Sequence, residues 1–135
     1  MKILSKGEDL GEAKTFKLKK MKEFVLLYRS EPLGEIKMTP EGTMAVSKEW
    51  ENWMGGIAAQ NKLVSNGARL GNEGRSLKPG NVVTNGPYVE IKEIVGGLSI
   101  IRAESLEEAT EIAKGCPIFN VGGCVEVREV IPMNG

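Results

Sequence analysis

Hydrophobic residues fall along the chain in two periods, and the alternation between them sets out the elements. "KEFVLLYR" (22–29) places Phe24, Leu26 and Tyr28 on one face of a strand and Val25 and Leu27 on the other. An extended run that is apolar on both faces predicts a central, covered strand. After a loop over 31–37, "TPE" at Thr39–Glu41 is a helix start, with Thr as N-cap and Pro in the first turn. Val46, Trp50, Trp53, Met54 and Ile57 then recur at helical spacing and predict a helix reaching about Lys62. Gly55 and Gly56 inside it each cost about 1 kcal/mol against Ala, which predicts close packing of another backbone on that stretch. "KLVSNGARL" (62–70) predicts a second strand, Arg75–Leu77 a short edge strand, and "NVVT" (81–84) a third strand. "VGGLSIIRA" (95–103) predicts a fourth, whose Gly96–Gly97 pair marks either a close approach or a bulge. "SLEEATEIAKG" (105–115) is a helix with Ser105 and Glu108 as a capping box. Leu106, Ala109, Ile112 and Ala113 form its apolar stripe and Gly115 its stop. "CPIFNVGG" is a loop, and "CVEVREVI" (124–131) the last strand.

This order is an α+β, ferredoxin-like βαββαβ sandwich, with both helices on one face of an antiparallel sheet. The other face is bare unless something covers it. Because the first strand is greasy on both sides, the expected cover is a second copy, two sheets packing face to face into a homodimer. Residues 1–20 are polar and lysine-rich and read as an extension outside a single domain at 21–135, with Met21 an alternative start.

Composition narrows the chemistry. The chain has 135 residues, 41% hydrophobic and 27% charged, with 18 basic residues balancing 18 acidic ones. A net charge of zero argues against nucleic-acid binding. No apolar run approaches the ~20 residues of a membrane span, and no secretory signal opens the chain, so a cytoplasmic setting is expected. Cys116 and Cys124 are expected to be free thiols, Cys116 inert beside Pro117. The histidine count is zero. That excludes Ser-His and Cys-His nucleophile pairs and removes the commonest transition-metal ligand. No metal spacing is present, and no cofactor is expected. Any catalysis falls to carboxylates, Lys, Tyr, Cys or Arg.

Candidate chemistry gathers at two places. In "TNGPYVEIKE" (84–93), Asn-Gly tolerates positive φ and Pro87 fixes the next φ, so a turn is sufficient reason for the motif. The functional alternative is a turn that aims Tyr88 and Glu90 into a cavity beside the sheet, with Asn85 at its edge. Lys92 and Glu93 are either solvated charges on a helical turn or a carbonyl-polarising lysine and a base. On the last strand, alternation sets Val125 and Val127 against Glu126 and Arg128. With the valines under the helices, Glu126 and Arg128 point to the dimer face, and Arg29 at the end of the first strand opposes Tyr28 and lies near that layer. Buried charges must be paired. These residues therefore form either an ion-pair network or a polar cavity. Because Arg grips oxyanions in two-pronged fashion, the favoured ligand is a small anionic metabolite. Tyr88, Glu126, Arg128, Arg29 and Asn85 are the expected contacts. Glu126 or Glu93 as base, with Arg128 as clamp, would make the same cavity an isomerase or lyase. A purely structural or interaction dimer is the third reading.

Four segments taken together, "MKEFVLLYR", "KLV" after the helix, "VVTNGPYVEIKEIVGG" and "SLEEATEIAKGCP" with the following "VEVREV", resemble the YCII-related or DGPF family, in order from about residue 21 to 131. The resemblance implies a ferredoxin-like fold, a dimeric α/β barrel and a largely uncharacterised biochemistry. Where the family reads Asp-Gly-Pro-Phe, this chain has Asn85-Gly86-Pro87-Tyr88. An Asp there could take up a proton; Asn cannot. Some relatives carry a His–Asp pair suspected of catalysis, which a chain without histidine lacks.

Overall fold

The computed structural model describes residues 20–31, 39–87 and 93–133. The elements run β1 (Lys22–Ser30), α1 (Pro40–Ala59), β2 (Leu63–Arg69), β3 (Arg75–Lys78), β4 (Val82–Asn85), β5 (Ile94–Ala103), α2 (Leu106–Ala113), a 3₁₀ turn (Pro117–Val121) and β6 (Cys124–Glu129). The main sheet has four strands in the order β2-β5-β1-β6, all neighbouring pairs antiparallel. Counting only its strands along the chain, this is the 2-3-1-4 order of a ferredoxin-like sandwich. The expected fold class stands. The expected extension (residues 1–19 of it), most of the 31–37 loop, Tyr88, Glu90 and Lys92 lie outside the described residues.

The helix-side core follows the alternation of β1 and β5. Phe24, Leu26 and Ile101 are fully buried, and Tyr28, Ile57, Ala109, Ala113 and Ile118 join them in one cluster. Each large apolar side chain withdrawn from water here contributes about 1.5–3 kcal/mol. Trp50 and Trp53 of α1 close over Tyr28 edge to face, with ring centroids 5.0 and 6.3 Å from it. The Trp53 indole donates to the Ile112 carbonyl of α2 at 3.2 Å. These tryptophans thus belong to the core, and Trp53 ties the two helices together. The same contact revises the reading of Gly115. It is not a left-handed stop; a Cβ on it would sit 3.1 Å from the Trp53 Nε1, so the residue is small because the indole lies over it.

Three further expectations are corrected. β4 does not join the main sheet: it pairs with β3 in a separate two-stranded hairpin, Leu77 opposite Val83. A short β-branched run specifies a strand but not its partner. Gly55 and Gly56 are not packed on another backbone either, since nothing lies within 4 Å of a Cβ built at either position. Both are exposed. Gly55→Ala is therefore expected to stabilise the protein by up to about 1 kcal/mol, from helix propensity and reduced unfolded-state entropy. A urea denaturation midpoint above that of the wild type checks it. The segment after α2 is a 3₁₀ turn rather than an irregular loop. Both readings of Gly96–Gly97 hold: there is a bulge, because Tyr28 pairs with Gly97 and Arg29 already with Val95, and a close approach, because a Cβ on Gly97 would lie 2.9 Å from the Ala68 carbonyl oxygen.

The α2 cap holds, with one shift. Ser105 Oγ accepts from Glu108 N at 3.1 Å, and Glu108 reaches back to Glu104 N at 2.9 Å, one residue further than a standard capping box. That backbone bond is the main cause of a lowered Glu108 pKa; desolvation opposes it, and Lys62 lowers it further. Lys62 Nζ is 3.3 Å from Glu108 Oε2. A carboxyl with a depressed folded-state pKa stabilises the fold above the unfolded value, and that contribution is lost as pH falls through the folded value. Glu108→Gln keeps the oxygen acceptor and removes the charge. Its stability is expected to fall less steeply than the wild type's as pH drops below the usual Glu value of about 4.3, as urea midpoints across that range would show.

Candidate functional site

Both helices cover one face of the sheet, and register defines what stands on the other. Directly opposed residues share a face, so the pairings of β5, β1 and β6 give successive rows. The first row is Val95, Arg29 and Cys124. The second is Leu98, Leu27 and Glu126, the third Ile100, Val25 and Arg128, and the fourth Arg102 and Glu23. Val25, Leu27, Leu98 and Ile100 form an apolar centre that is only half-buried. The charged residues frame it.

Alternation along β6 places Val125 and Val127 against the helix-side core, which leaves Glu126 and Arg128 on the helix-free face. Arg29 Nε donates to Glu126 Oε1 at 3.0 Å. Arg128 Nη1 lies 4.0 Å from Glu126 Oε2, a looser pair, with 67% of the arginine side chain exposed. Glu126 is thus shared between two guanidinium groups. In the first row, beside Arg29, the Cys124 thiol donates to Glu93 Oε1 at 3.6 Å. Burial is the first cause of a raised Cys124 pKa; the Glu93 carboxylate raises it further, and Arg29 partly offsets both. Glu93, Cys124, Arg29, Glu126 and Arg128 therefore form one electrostatic group along the β1–β6 edge.

Of the residues anticipated from sequence, the structure brings together Arg29, Glu126, Arg128 and, through Cys124, Glu93. Asn85 stands elsewhere, at the end of β4 opposite Arg75 in the small hairpin, and exposed. The turn after it has Gly86 at φ 88°, held by Gly86 N to Gly74 O at 2.6 Å and by Ser76 Oγ to Gly86 O at 3.1 Å. Tyr88 lies outside the described residues.

Two residues on this face are not anticipated from sequence, Cys124 and Arg102. The alternation of "SIIRA" puts Arg102 on the same side as Ile100, so the signal is present. Arg102 Nε is buried and has no hydrogen-bond partner among the described residues.

On the opposite layer, a groove of about 330 Å³ opens between the helices, with Trp53, Ile57, Lys62, Ile112 and Gly115 in its wall. Beneath the helices, burial pushes the Cys116 thiol up to about 11, which keeps it protonated and unreactive at neutral pH. The Tyr28 phenol is likewise raised by burial, with the Ser99 hydroxyl offsetting part of the effect. Both cysteines are free. Among the described residues, no group of three or more His, Cys, Asp or Glu could hold a metal ion, and no helix is long and apolar enough to cross a membrane.

No curated protein matches the chain. The YCII-related domain matches residues 23–134, from β1 through β6 and so including every strand and both helices of the sandwich, and the chain belongs to that family.

Proposed function

We propose that the protein works as a homodimer, the helix-free sheet face of one copy packed on that of the other, and that the pair encloses a small anionic metabolite against Arg29, Glu126 and Arg128. The observation that carries this reading is the make-up of the face: a half-buried apolar centre framed by a carboxylate shared between two arginines. An exposed apolar surface of this kind marks an interaction site. The net charge of zero leaves no overall repulsion between copies. Arg128 is only loosely held, so its guanidinium is available to grip an oxyanion. Tyr88 belongs to the proposal as a further contact; Asn85, exposed at the end of β4 in the small hairpin, does not. Two free cysteines fit a cytoplasmic setting.

Binding is preferred to acid–base catalysis because Glu126 is already held by Arg29 at 3.0 Å and lies 4.0 Å from Arg128, engaged in an ion-pair group. The test is a thermal-shift screen of small carboxylates and phosphate esters against the wild type, Glu126→Gln and Arg128→Ala. A ligand at a hundred times its Kd stabilises the native state by about 2.7 kcal/mol. The wild type is expected to gain a melting-temperature increase from at least one such anion that Arg128→Ala loses. Variants that keep the full increase would remove the site.

A further inference from the structure

We infer that β6 is an interaction edge, and that it pairs antiparallel with β6 of a second copy in the register that sets Val127 opposite Val127. β6 ends the main sheet, so one side of its backbone has no neighbouring strand among the described residues. Val130 N donates to Glu23 O at 2.8 Å, which continues the β1–β6 register and fixes the phase of the ladder. In an antiparallel pair, alternate residues turn their backbone groups to the same neighbour. Cys124, Glu126 and Arg128 therefore turn theirs to β1, and Val125, Val127 and Glu129 turn theirs outward. Such a row of N–H and C=O groups is a template for a further strand.

Protected edges carry a bulge, a proline or a lysine. β2, at the opposite edge, is protected in this way: its register against β5 shifts twice, and Gly67 takes φ 78°. β6 runs against β1 without a register shift, and Cys124–Glu129 contains neither Pro nor Lys. Charge then selects a second copy as the occupant. About a twofold axis at Val127, Glu126 of each copy stands opposite Arg128 of the other. Every outward N–H and C=O from Val125 to Glu129 finds a partner, with Val125 opposite Glu129. Glu126 and Arg128 occupy the non-hydrogen-bonded positions, where side chains come closest. Opposite charges so placed stabilise a strand pair and like charges destabilise it. Moving the axis by one residue in either direction sets Glu126 against Glu126 or Arg128 against Arg128, so the charges admit the first register and oppose its neighbours. Arg128 is free to reach across, being 67% exposed and only loosely held at 4.0 Å within its own copy. A guanidinium carries five N–H donors, which leaves room for a bound anion as well. One pair of strands buries less than the roughly 1,200 Å² of a stable interface. The edge contact is therefore weak, and it forms at concentrations where the face-to-face dimer is already complete.

Hydrogen exchange reads the edge residue by residue. The amides of Val125, Val127 and Glu129 are expected to exchange about tenfold more slowly in concentrated than in dilute protein, while those of Glu126 and Arg128, bonded to β1, change little. Sedimentation velocity over the same range is expected to show the mass doubling. Glu129→Pro removes one outward N–H and blocks the edge, at a position where a strand tolerates proline. The Lys22 contact that it gives up, at 4.0 Å, is exposed. This variant is expected to lose the concentration dependence. Arg128→Glu, which sets like charges opposite each other, is expected to lose it too, and Arg128→Lys to keep it. A wild type whose mass and outward amides ignore concentration overturns the inference. So does a Glu129→Pro or Arg128→Glu variant that associates like the wild type. Outward amides that are protected at every dilution also overturn it, because the chain then covers its own edge. In a Leu27→Asp protein the edge association is expected to persist. If it disappears together with the face contact, this inference fails and the face-to-face dimer stands. If Leu27→Asp leaves the dilute protein unchanged while Glu129→Pro abolishes the association, the edge stands and the face-to-face dimer falls.

Discussion

Leu27→Asp is expected to turn a dimer into a monomer, with the subunit's own fold retained. Leu27 occupies the centre of the helix-free face, between Leu98 and Glu126 in its row. Its side chain is on the opposite side of β1 from Phe24, Leu26 and Tyr28, which build the helix-side core. The substitution therefore leaves that core intact. In a twofold face-to-face dimer it acts twice. Each copy loses about 2 kcal/mol of leucine burial and adds the cost of a carboxylate taken out of water. The sum is at least about 4 kcal/mol, on the order of a thousandfold in Kd. Sedimentation velocity reads it directly, as a halved mass with an unchanged circular dichroism spectrum. A wild type that sediments as a monomer, or a variant that stays dimeric, would show that this face is not the contact between copies and would remove the enclosure on which the proposed binding site depends.

The strands that form this face are legible in the sequence because β1, β5 and β6 carry apolar residues at both parities or alternate strictly. Spacing alone places Glu126 and Arg128 opposite Val125 and Val127. What spacing cannot give is partnership. The Arg29–Glu126 bond joins residues 97 positions apart and exists only because β6 lies beside β1. The thiol of Cys124 against Glu93 has the same origin. "NVVT" has strand composition, which suggests a place for β4 in the main sheet, but composition is silent about which edge a strand joins. Where Leu77 is 74% exposed and Val83 56%, the apolar run reflects a hairpin standing apart rather than a core strand. Arg102 is legible by alternation, but a lone arginine in an apolar strand carries no signal until its missing partner is seen.

The helical glycines show the same limit from the other side. Gly55 and Gly56 sit in open space, whereas Gly115 is crowded by Trp53. A sequence shows that a residue is glycine, and only the packed neighbours show whether its missing Cβ matters. The least foreseeable case lies inside β2, where "SNG" interrupts what reads as a plain strand.

Gly67→Ala is expected to be strongly destabilising, far more so than alanine at Gly55 or Gly96. Gly67 has φ 78°, a conformation that costs an L-residue about 1–2 kcal/mol. A Cβ built there falls on the Leu98 carbonyl oxygen and lies 2.6 Å from its carbon, both backbone atoms of the adjacent strand. No side-chain rotation relieves such a clash; β2 must move off β5. The region is also where β2 loses register, between Ser65 and Ala68. The irregularity is fastened on both sides: Gly67 N donates to Ser65 Oγ at 2.9 Å, and the fully buried Ser99 hydroxyl donates to Asn66 O at 2.8 Å. Displacing β2 breaks the Ser99 bond and leaves a buried hydroxyl without its acceptor. Adding about 1–3 kcal/mol of overpacking to the conformational cost gives about 2–5 kcal/mol, out of the 5–15 kcal/mol typical of a domain. The melting temperature is expected to fall by about 10 °C or more. Gly96→Ala is the control, since a Cβ there meets nothing closer than the Tyr28 carbonyl at 4.0 Å, and its melting temperature is expected to stay within a few degrees of the wild type. Equal losses for the two variants would mean that the bulge in β2 is not the strained point of the sheet. The strand would then tolerate a side chain at Gly67 only by a different register against β5, which would turn Ser65 and Ala68 away from the helix-free face.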